Sequence, residues 1–336
     1  MENHKTDHQE LNRRKFLKMA ATLTAMAYMP AISFGDDSDK WGYVLPSRTL
    51  GKTGLKVTMF ALGGGPPKIN LPDEEAIVEA ALKGGCRFFE TARSYGTEPA
   101  YGNVLEPYRN EIILSSKSRA INAETLNREL DLTLKTLKTS YLDIYLMHNV
   151  PNMDVLKQKF DNGVFDAMLK AKQEGKVRHL GFSGHANPVV NNYMLDMNLP
   201  DLEVMLMPVN VIDTIQNSFT LNTLPKASEK NIGVMVMKPL GGGAMLGHDI
   251  IWGEGKGNKR PGIIPELISM KEAQHFVYSM PVGAASFGCT SVAQVEENIA
   301  FAKSYTGMSK AEHADLIRKV TDVAKNNLLE HYKGNN

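Results

Sequence analysis

Cysteine is nearly absent: Cys86 and Cys289 are the only two in 336 residues. Two thiols cannot build a disulfide framework, a zinc ribbon or an iron–sulfur cluster. An excess of charge is also missing. The formal net charge is +1, so nothing is set to neutralise a phosphate backbone, and nucleic-acid binding is disfavoured. No GxGxxG fingerprint occurs, which disfavours a Rossmann fold. Gly51-Lys52-Thr53 imitates a P-loop, but the glycine needed five residues earlier is Pro46, with no strand ahead of it. No HExxH-like spacing is present, which argues against a metal-dependent lyase or epimerase. No internal repeat of roughly 20–50 residues stands out. What remains is ordinary for a soluble globular chain: 43% hydrophobic and 22% charged residues. Eighteen methionines, several alternating in strand-like runs, read as adaptable core filler.

The N-terminal segment 1–35 does not read as fold. Asn12-Arg13-Arg14-Lys15-Phe16-Leu17-Lys18 precedes a short, mildly apolar stretch from Met19 to Phe34. Small residues at Ala31, Ser33 and Gly35 offer cleavage points. The segment resembles a twin-arginine export signal. It is too short and too weakly hydrophobic for a stable membrane span. The resemblance implies recognition by the twin-arginine export machinery and a destination in the periplasm or cell envelope. It also implies export in the folded state, with any cofactor already bound. Residues 36–46 read as a linker.

From Ser47 the pattern changes. Ser47 to Val57, with Gly51 and Gly54 at turn positions, predicts a β-hairpin. Eight strand-like runs follow, at about 57–63, 87–90, 111–117, 141–148, 177–183, 203–209, 233–238 and 282–288. Several are apolar on both faces, as buried parallel strands are. Helical patterns separate them. Asp73-Glu74-Glu75 opens one, stopped by Gly84-Gly85. Leu126, Leu130, Leu134 and Leu137 mark another. Val155 to Glu174 predicts one long helix, and Val292, Val295, Ile299 and Ala302 mark the helix after the last strand. Ser309-Lys310-Ala311-Glu312 is a capping box for a final helix through about Leu329. The alternation predicts an α/β fold, a (β/α)8 TIM barrel spanning 47–330 with an N-terminal hairpin and an extra C-terminal helix. In such a barrel Cys86 and Cys289 sit at opposite rims, too far apart to pair.

Ionisable side chains close successive strand-like runs: Glu90, Lys117 and His148, with Tyr95 in the loop after Glu90. Reduction of a carbonyl by hydride needs a proton donor at the carbonyl oxygen. A tyrosine serves if a lysine beside it favours the phenolate and a carboxylate orients that lysine. A histidine can position the carbonyl oxygen. Phe88-Phe89-Glu90-Thr91-Ala92-Arg93-Ser94-Tyr95-Gly96, Ile113-Leu114-Ser115-Ser116-Lys117 and Tyr141-Leu142-Asp143-Ile144-Tyr145-Leu146-Met147-His148 together resemble the aldo-keto reductase family, from about Arg48 to Ala302. The resemblance implies catalytic roles for Tyr95, Lys117, His148 and Glu90. The family places Asp where this chain has Glu90. The extra methylene shifts the carboxylate by about 1–1.5 Å, so Glu90 is expected near Lys117 but differently placed.

The same resemblance implies a bound NADP or NAD. Gly181-Phe182-Ser183-Gly184-His185 is similar to the segment that holds the nicotinamide carboxamide. Ser183 is kept. Gly184 stands where the family has Asn, so that hydrogen bond is missing or comes from His185 or Asn210. Lys238-Pro239-Leu240-Gly241-Gly242-Gly243 is similar to the pyrophosphate segment, and Gly241 to Gly243 offer free backbone N–H groups. Gly288, Cys289, Ser291, Gln294 and Asn298 match the adenosine end. Gly288 and Gln294 replace basic residues common there, which argues against strict NADP use. Gly247 to Gly262 reads as a lid or as a plain insertion.

The expected activity is therefore an exported NAD(P)(H)-dependent oxidoreductase that interconverts a carbonyl and an alcohol on a small, possibly sugar-like substrate. A cofactor-binding regulatory barrel with little turnover, and an epimerase or isomerase with retained cofactor, are the alternatives.

Overall fold

The computed structural model describes residues 31–33, 38–65, 70–250 and 256–333. The twin-arginine stretch from Asn12 lies outside the described residues. Eight parallel strands close into a barrel: β5 (Phe60–Gly63), β6 (Phe88–Glu90), β7 (Ile113–Ser118), β8 (Leu142–Met147), β9 (Val177–Ser183), β10 (Leu202–Pro208), β11 (Gly233–Met237) and β12 (Ala284–Gly288). These are the eight expected runs, and β12 pairs with β5 to complete the ring. Helices cover the outside, among them α1 (Leu71–Lys83), α2 (Glu98–Leu105) and α3 (Ala123–Thr136). Asn70 caps α1 through the Asp73 N–H and Gly84 ends it.

The first barrel strand starts later than expected because residues 56–58 belong to the hairpin. β3 (Ser47–Thr49) and β4 (Lys56–Thr58) pair antiparallel, with Gly51 and Gly54 at positive φ. Leu50 and Val57 from this hairpin pack with Ala61, Phe88, Ile144, Leu146, Val204, Leu206, Met235 and Ala284. That cluster is the barrel interior, closed from below by the hairpin. Arg48, buried at 2% exposure, donates to the carbonyls of Tyr278, Met280 and Val282 and fixes the plug without a carboxylate.

Three further expectations are corrected. The segment read as a linker forms a two-stranded sheet, β1 (Ser38–Asp39) with β2 (Gly42–Tyr43), and Asp39 pairs with buried Arg87 at 2.6 Å. The helix expected over 155–174 is two, α4 (Met153–Asp161) and α5 (Val164–Gln173). Gly163, at φ 70, breaks the run in a left-handed conformation that ends one helix and starts the next. The final helix α11 follows α6 (Pro188–Asp196), α7 (Phe219–Asn222), α8 (Leu224–Glu229), α9 (Met270–Tyr278) and α10 (Val292–Lys303) and covers only Lys310–Val320, with the capping box at Ser309 in place. Beyond it lie two 3₁₀ turns, Val323–Lys325 and Asn327–Glu330. Both cysteines are free and buried. No described helix is long and apolar enough to cross a membrane.

Candidate active site

Strand alternation decides which side chains enter the barrel. On β7, Ser116 and Ser118 face outward, to Glu98 (3.0 Å) and Glu129. Lys117, between them, therefore faces inward. On β8, Ile144 and Leu146 fill the interior and His148 continues their face. On β6, Phe88 fills the interior and Glu90 shares its side. Three neighbouring strands thus deliver Glu90, Lys117 and His148 to one rim, and the loop after β6 brings Tyr95 over them.

The geometry is compact. Lys117 Nζ forms an ion pair with Glu90 Oε1 and donates to Thr91 O at 2.9 Å. Glu90 therefore reaches the lysine despite its extra methylene. Lys117 Nζ lies 4.5 Å from the Tyr95 ring centre. The Tyr95 and His148 rings meet edge to face with centroids 5.6 Å apart. Gly65 completes the wall: a Cβ there would lie 3.2 Å from the Tyr95 ring.

Burial dominates the electrostatics. It pushes the Tyr95 phenol up to about 12, with Arg119 opposing. The expected acidification of Tyr95 by Lys117 does not emerge: burial of the phenol is the larger effect. Burial, then the positive charges of Lys238 and Arg119, push Lys117 well below the usual lysine range. His148 is held well below its ordinary value by burial, then by Lys117 and Arg119. It is a neutral imidazole at pH 7 with Nδ1 buried and without a protein partner among the described residues.

The residues expected to hold the cofactor lie on β9 to β12. Ser183 ends β9, and its Oγ accepts from Asn149 N at 2.9 Å. Gly241, Gly242 and Gly243 take φ values of 62, 65 and 86, a run that L side chains rarely adopt. Gly242 is exposed, and a Cβ there would meet nothing within 4 Å. Lys238, which precedes them, has φ 53 and is pushed down to about 8 by burial. Leu240 is half-buried against the core. The expected run of free N–H groups is corrected: Gly241 N donates to Lys238 O at 2.9 Å and Gly243 N to Leu240 O at 3.1 Å, so what fits a dinucleotide here is the close backbone approach that exposed Gly242 allows beside Lys238. At the other end, Ser291 caps α10. Gln294 Oε1 accepts from Thr290 N at 2.7 Å, Asn298 donates to Cys289 Sγ at 3.4 Å, and Gly288 closes β12. The Cys289 thiol is pushed up to about 12 by burial. No described group of three or more His, Cys, Asp or Glu side chains could hold a metal.

The structure explains Gly184. A Cβ there would fall 2.1 Å from Asn191 Oδ1, so the Asn191 amide occupies that space and donates to Gly184 O at 3.2 Å. Asn210 is already engaged: it donates to Lys238 O and Tyr332 Oη and accepts from Asp213 N. The His185 ring meets Tyr332 at 6.0 Å.

That tyrosine escaped sequence reading, as did its setting. The C-terminal segment returns to the rim. Lys333 pairs with Asp213 at 2.7 Å and with Glu330 at 2.5 Å, and Tyr332 donates to Glu330 at 2.6 Å. Lys238 Nζ lies 5.0 Å from the Tyr332 ring centre. Arg260, from the segment read as a lid or insertion, donates to Gly242 O at 2.9 Å and also reaches His331 Nδ1 at 3.4 Å. It pins the glycine loop to the tail. Asn210 and Tyr332 are 122 positions apart, and no local sequence pattern connects them.

The sequence model described as "Aldo/keto reductase family" matches residues 58–260. Among curated proteins, L-galactose dehydrogenase of Arabidopsis thaliana is 27% identical over 290 residues, covering 75% of this chain and 86% of that protein. A 6-dehydroglucose reductase of Novosphingobium aromaticivorans is 28% identical over 226 residues, covering 59% and 70%. Among solved structures, an aldo-keto reductase from Bacillus halodurans in its holo form superposes with a TM-score of 0.66 at 21% identity, covering 81% of this chain and 95% of that one. An aldo/keto reductase from Klebsiella pneumoniae in complex with NADP and acetate gives 0.64 at 21% identity, covering 82% and 95%.

Proposed function

The chain belongs to the aldo/keto reductase family of NAD(P)-dependent oxidoreductases, and from that membership together with the twin-arginine resemblance of its first 35 residues we propose an exported enzyme that interconverts a carbonyl and an alcohol with Tyr95 as the proton donor and acceptor. The observation that carries this reading is the convergence of Tyr95, Lys117, Glu90 and His148 on one rim. When bound, the nicotinamide supplies the hydride to the carbonyl carbon, or accepts it in reverse. Tyr95 gives its phenolic proton to the carbonyl oxygen, and the former π pair becomes the new O–H bond. The neutral His148 can hydrogen-bond and align that oxygen. Lys117, oriented by Glu90 and the Thr91 carbonyl, lies beside the phenolate that forms and stabilises it. Ser183 and the Gly241–243 loop would hold the cofactor.

Export creates a requirement, since a free cofactor is not regenerated outside the cytoplasm. A cofactor that stays bound meets it. Oxidation of one substrate and reduction of another in the same site, or net isomerisation through a keto intermediate, then balances the electrons. The tail supports retention: Lys333, Tyr332 and Arg260 tie the C-terminus to the glycine loop and to Asn210. A sugar-like substrate is in keeping with relatives named for L-galactose and 6-dehydroglucose.

In a single-turnover assay, Tyr95→Phe is expected to abolish reduction of an added aldehyde by prebound NADPH while cofactor binding persists. Equal rates in both proteins would overturn Tyr95 as the donor, and no reduction by wild type that binds the cofactor would favour a regulatory barrel. Arg13→Lys with Arg14→Lys should trap the protein in the cytoplasm by cell fractionation. Unchanged export would remove the twin-arginine assignment.

A further inference from the structure

One cation at the rim takes no part in the chemistry described so far. Arg119 directly follows β7, two residues beyond Lys117, so alternation sends it toward the same side as that lysine. It is exposed. Its backbone is braced. Buried Lys159 donates to the carbonyls of Arg119 at 3.3 Å and Ala120 at 2.6 Å, and His148 N donates to Ser118 O at 2.8 Å. Other arginines of the barrel wall have carboxylates: Arg87 with Asp39, Arg93 with Glu98, Arg109 and Arg178 with Asp143. Arg119 has no carboxylate partner among the described residues.

Its position separates it from the cofactor's phosphates. In the closed ring, three strands lie between β7 and β11 in either direction. Arg119 therefore stands across the barrel mouth from Lys238 and Gly241–243. It adjoins Ser118, whose carbonyl accepts from His148 N, and two residues before it stands Lys117, so the chain itself sets it beside the reacting centre; its charge acts on Tyr95, Lys117, His148 and His185. The one carboxylate in that centre, Glu90, is paired with Lys117. Among the described residues, the substrate side of the mouth thus presents an exposed guanidinium on a fixed backbone, with no acid paired to it. A guanidinium so placed is suited to grip an oxyanion with two parallel hydrogen bonds.

We propose that the substrate carries an anionic group, a carboxylate or a phosphate ester, and that Arg119 binds it while Tyr95 serves the carbonyl. The substrate class is then an acidic, sugar-like carbonyl compound or its alcohol. This rests on the oxidoreductase reading of the same rim.

The test compares matched carbonyl pairs on the cofactor-loaded enzyme: succinic semialdehyde against butyraldehyde, and glyceraldehyde 3-phosphate against glyceraldehyde. The wild type is expected to favour the charged member of at least one pair in kcat/KM, and the favoured pair identifies carboxylate or phosphate. Arg119→Gln should shrink that ratio by about 10- to 100-fold, mainly through KM, and Arg119→Lys should recover part of it. Because a ratio is read, a general loss of activity cancels. Wild-type indifference to charge in both pairs, or an equal fall for both members in Arg119→Gln, would overturn the proposal. Calorimetric titration with succinate and with inorganic phosphate gives a readout free of turnover. Anion binding lost in Arg119→Gln without any carbonyl reduction would fault the oxidoreductase reading alone. Reduction without charge preference would fault the anion site alone.

Discussion

Two buried lysine–carboxylate pairs stand on opposite sides of this rim, and they behave differently. Lys117 and Glu90 join neighbouring strands on the catalytic side, with side-chain exposures of 1% and 6%. Lys333 and Asp213 join the tail to the cofactor side, with exposures of 6% and 0%. Burial works against the Lys333 ammonium, but Asp213 and Glu330 outweigh it and hold the group above the usual lysine range. Lys117 has one carboxylate and cations around it, and burial wins. A lysine facing two acids is a lock. A lysine facing one acid among cations is shifted downward, as functional groups often are. The catalytic side is thus built from tuned side chains, and the cofactor side from glycine backbone and a clamped tail.

The comparison breaks most visibly at Lys117. Lys117→Met leaves Glu90 buried and unpaired inside the strands, so stability should fall by about 3–5 kcal/mol and single-turnover reduction by at least ~100-fold. Denaturant unfolding and stopped-flow absorbance read the two effects. Retained activity would show that Tyr95 works without the lysine. Lys333→Met breaks an equally buried pair, yet the strain can escape by detachment of the tail. Hydrogen exchange should rise across residues 327–333, and NADPH should dissociate faster, while the barrel midpoint moves less than in Lys117→Met. Slower NADPH release would instead mark the tail as a block to the site.

The pH profile sharpens the same contrast. Tyr95 is held up to about 12, so the protonated donor prevails well above neutrality. Reduction should show no loss from Tyr95 between about pH 6 and 9, whereas alcohol oxidation, which needs the phenolate, should rise about tenfold per pH unit. A fall in single-turnover reduction centred near pH 7 that persists in His148→Gln would contradict this assignment. The smallest effect is expected at Gly184. Gly184→Asn restores the family residue but collides with Asn191, so stability should drop by about 1–3 kcal/mol with no gain in NADPH affinity. Tighter binding would show that Asn191 can yield its place.

The catalytic side was legible in the sequence because its chemistry coincides with local pattern. Glu90, Lys117 and His148 each end an apolar strand, and period-two alternation aims all three inward. The effect of burial was not legible: it raises the Tyr95 phenol where a lysine neighbour alone suggested acidification. The cofactor side was half legible. The glycine run at 241–243 announces positive φ, but Asn191 filling the space beside Gly184 depends on a helix packing against a strand end. The tail's contacts with Asn210 and Asp213 span over a hundred positions. The capping box marks the start of the last helix but no local signal marks its end, and the chain beyond it is set by distant contacts, Tyr332 with Asn210 and Lys333 with Asp213.

The central claim is that this rim runs hydride chemistry on a nicotinamide dinucleotide that stays bound through export. Protein purified from its native envelope compartment, denatured and analysed by mass spectrometry, measures this directly. Stoichiometric release of NAD(H) or NADP(H) is the predicted result. Folded protein that releases no nicotinamide dinucleotide would contradict the claim.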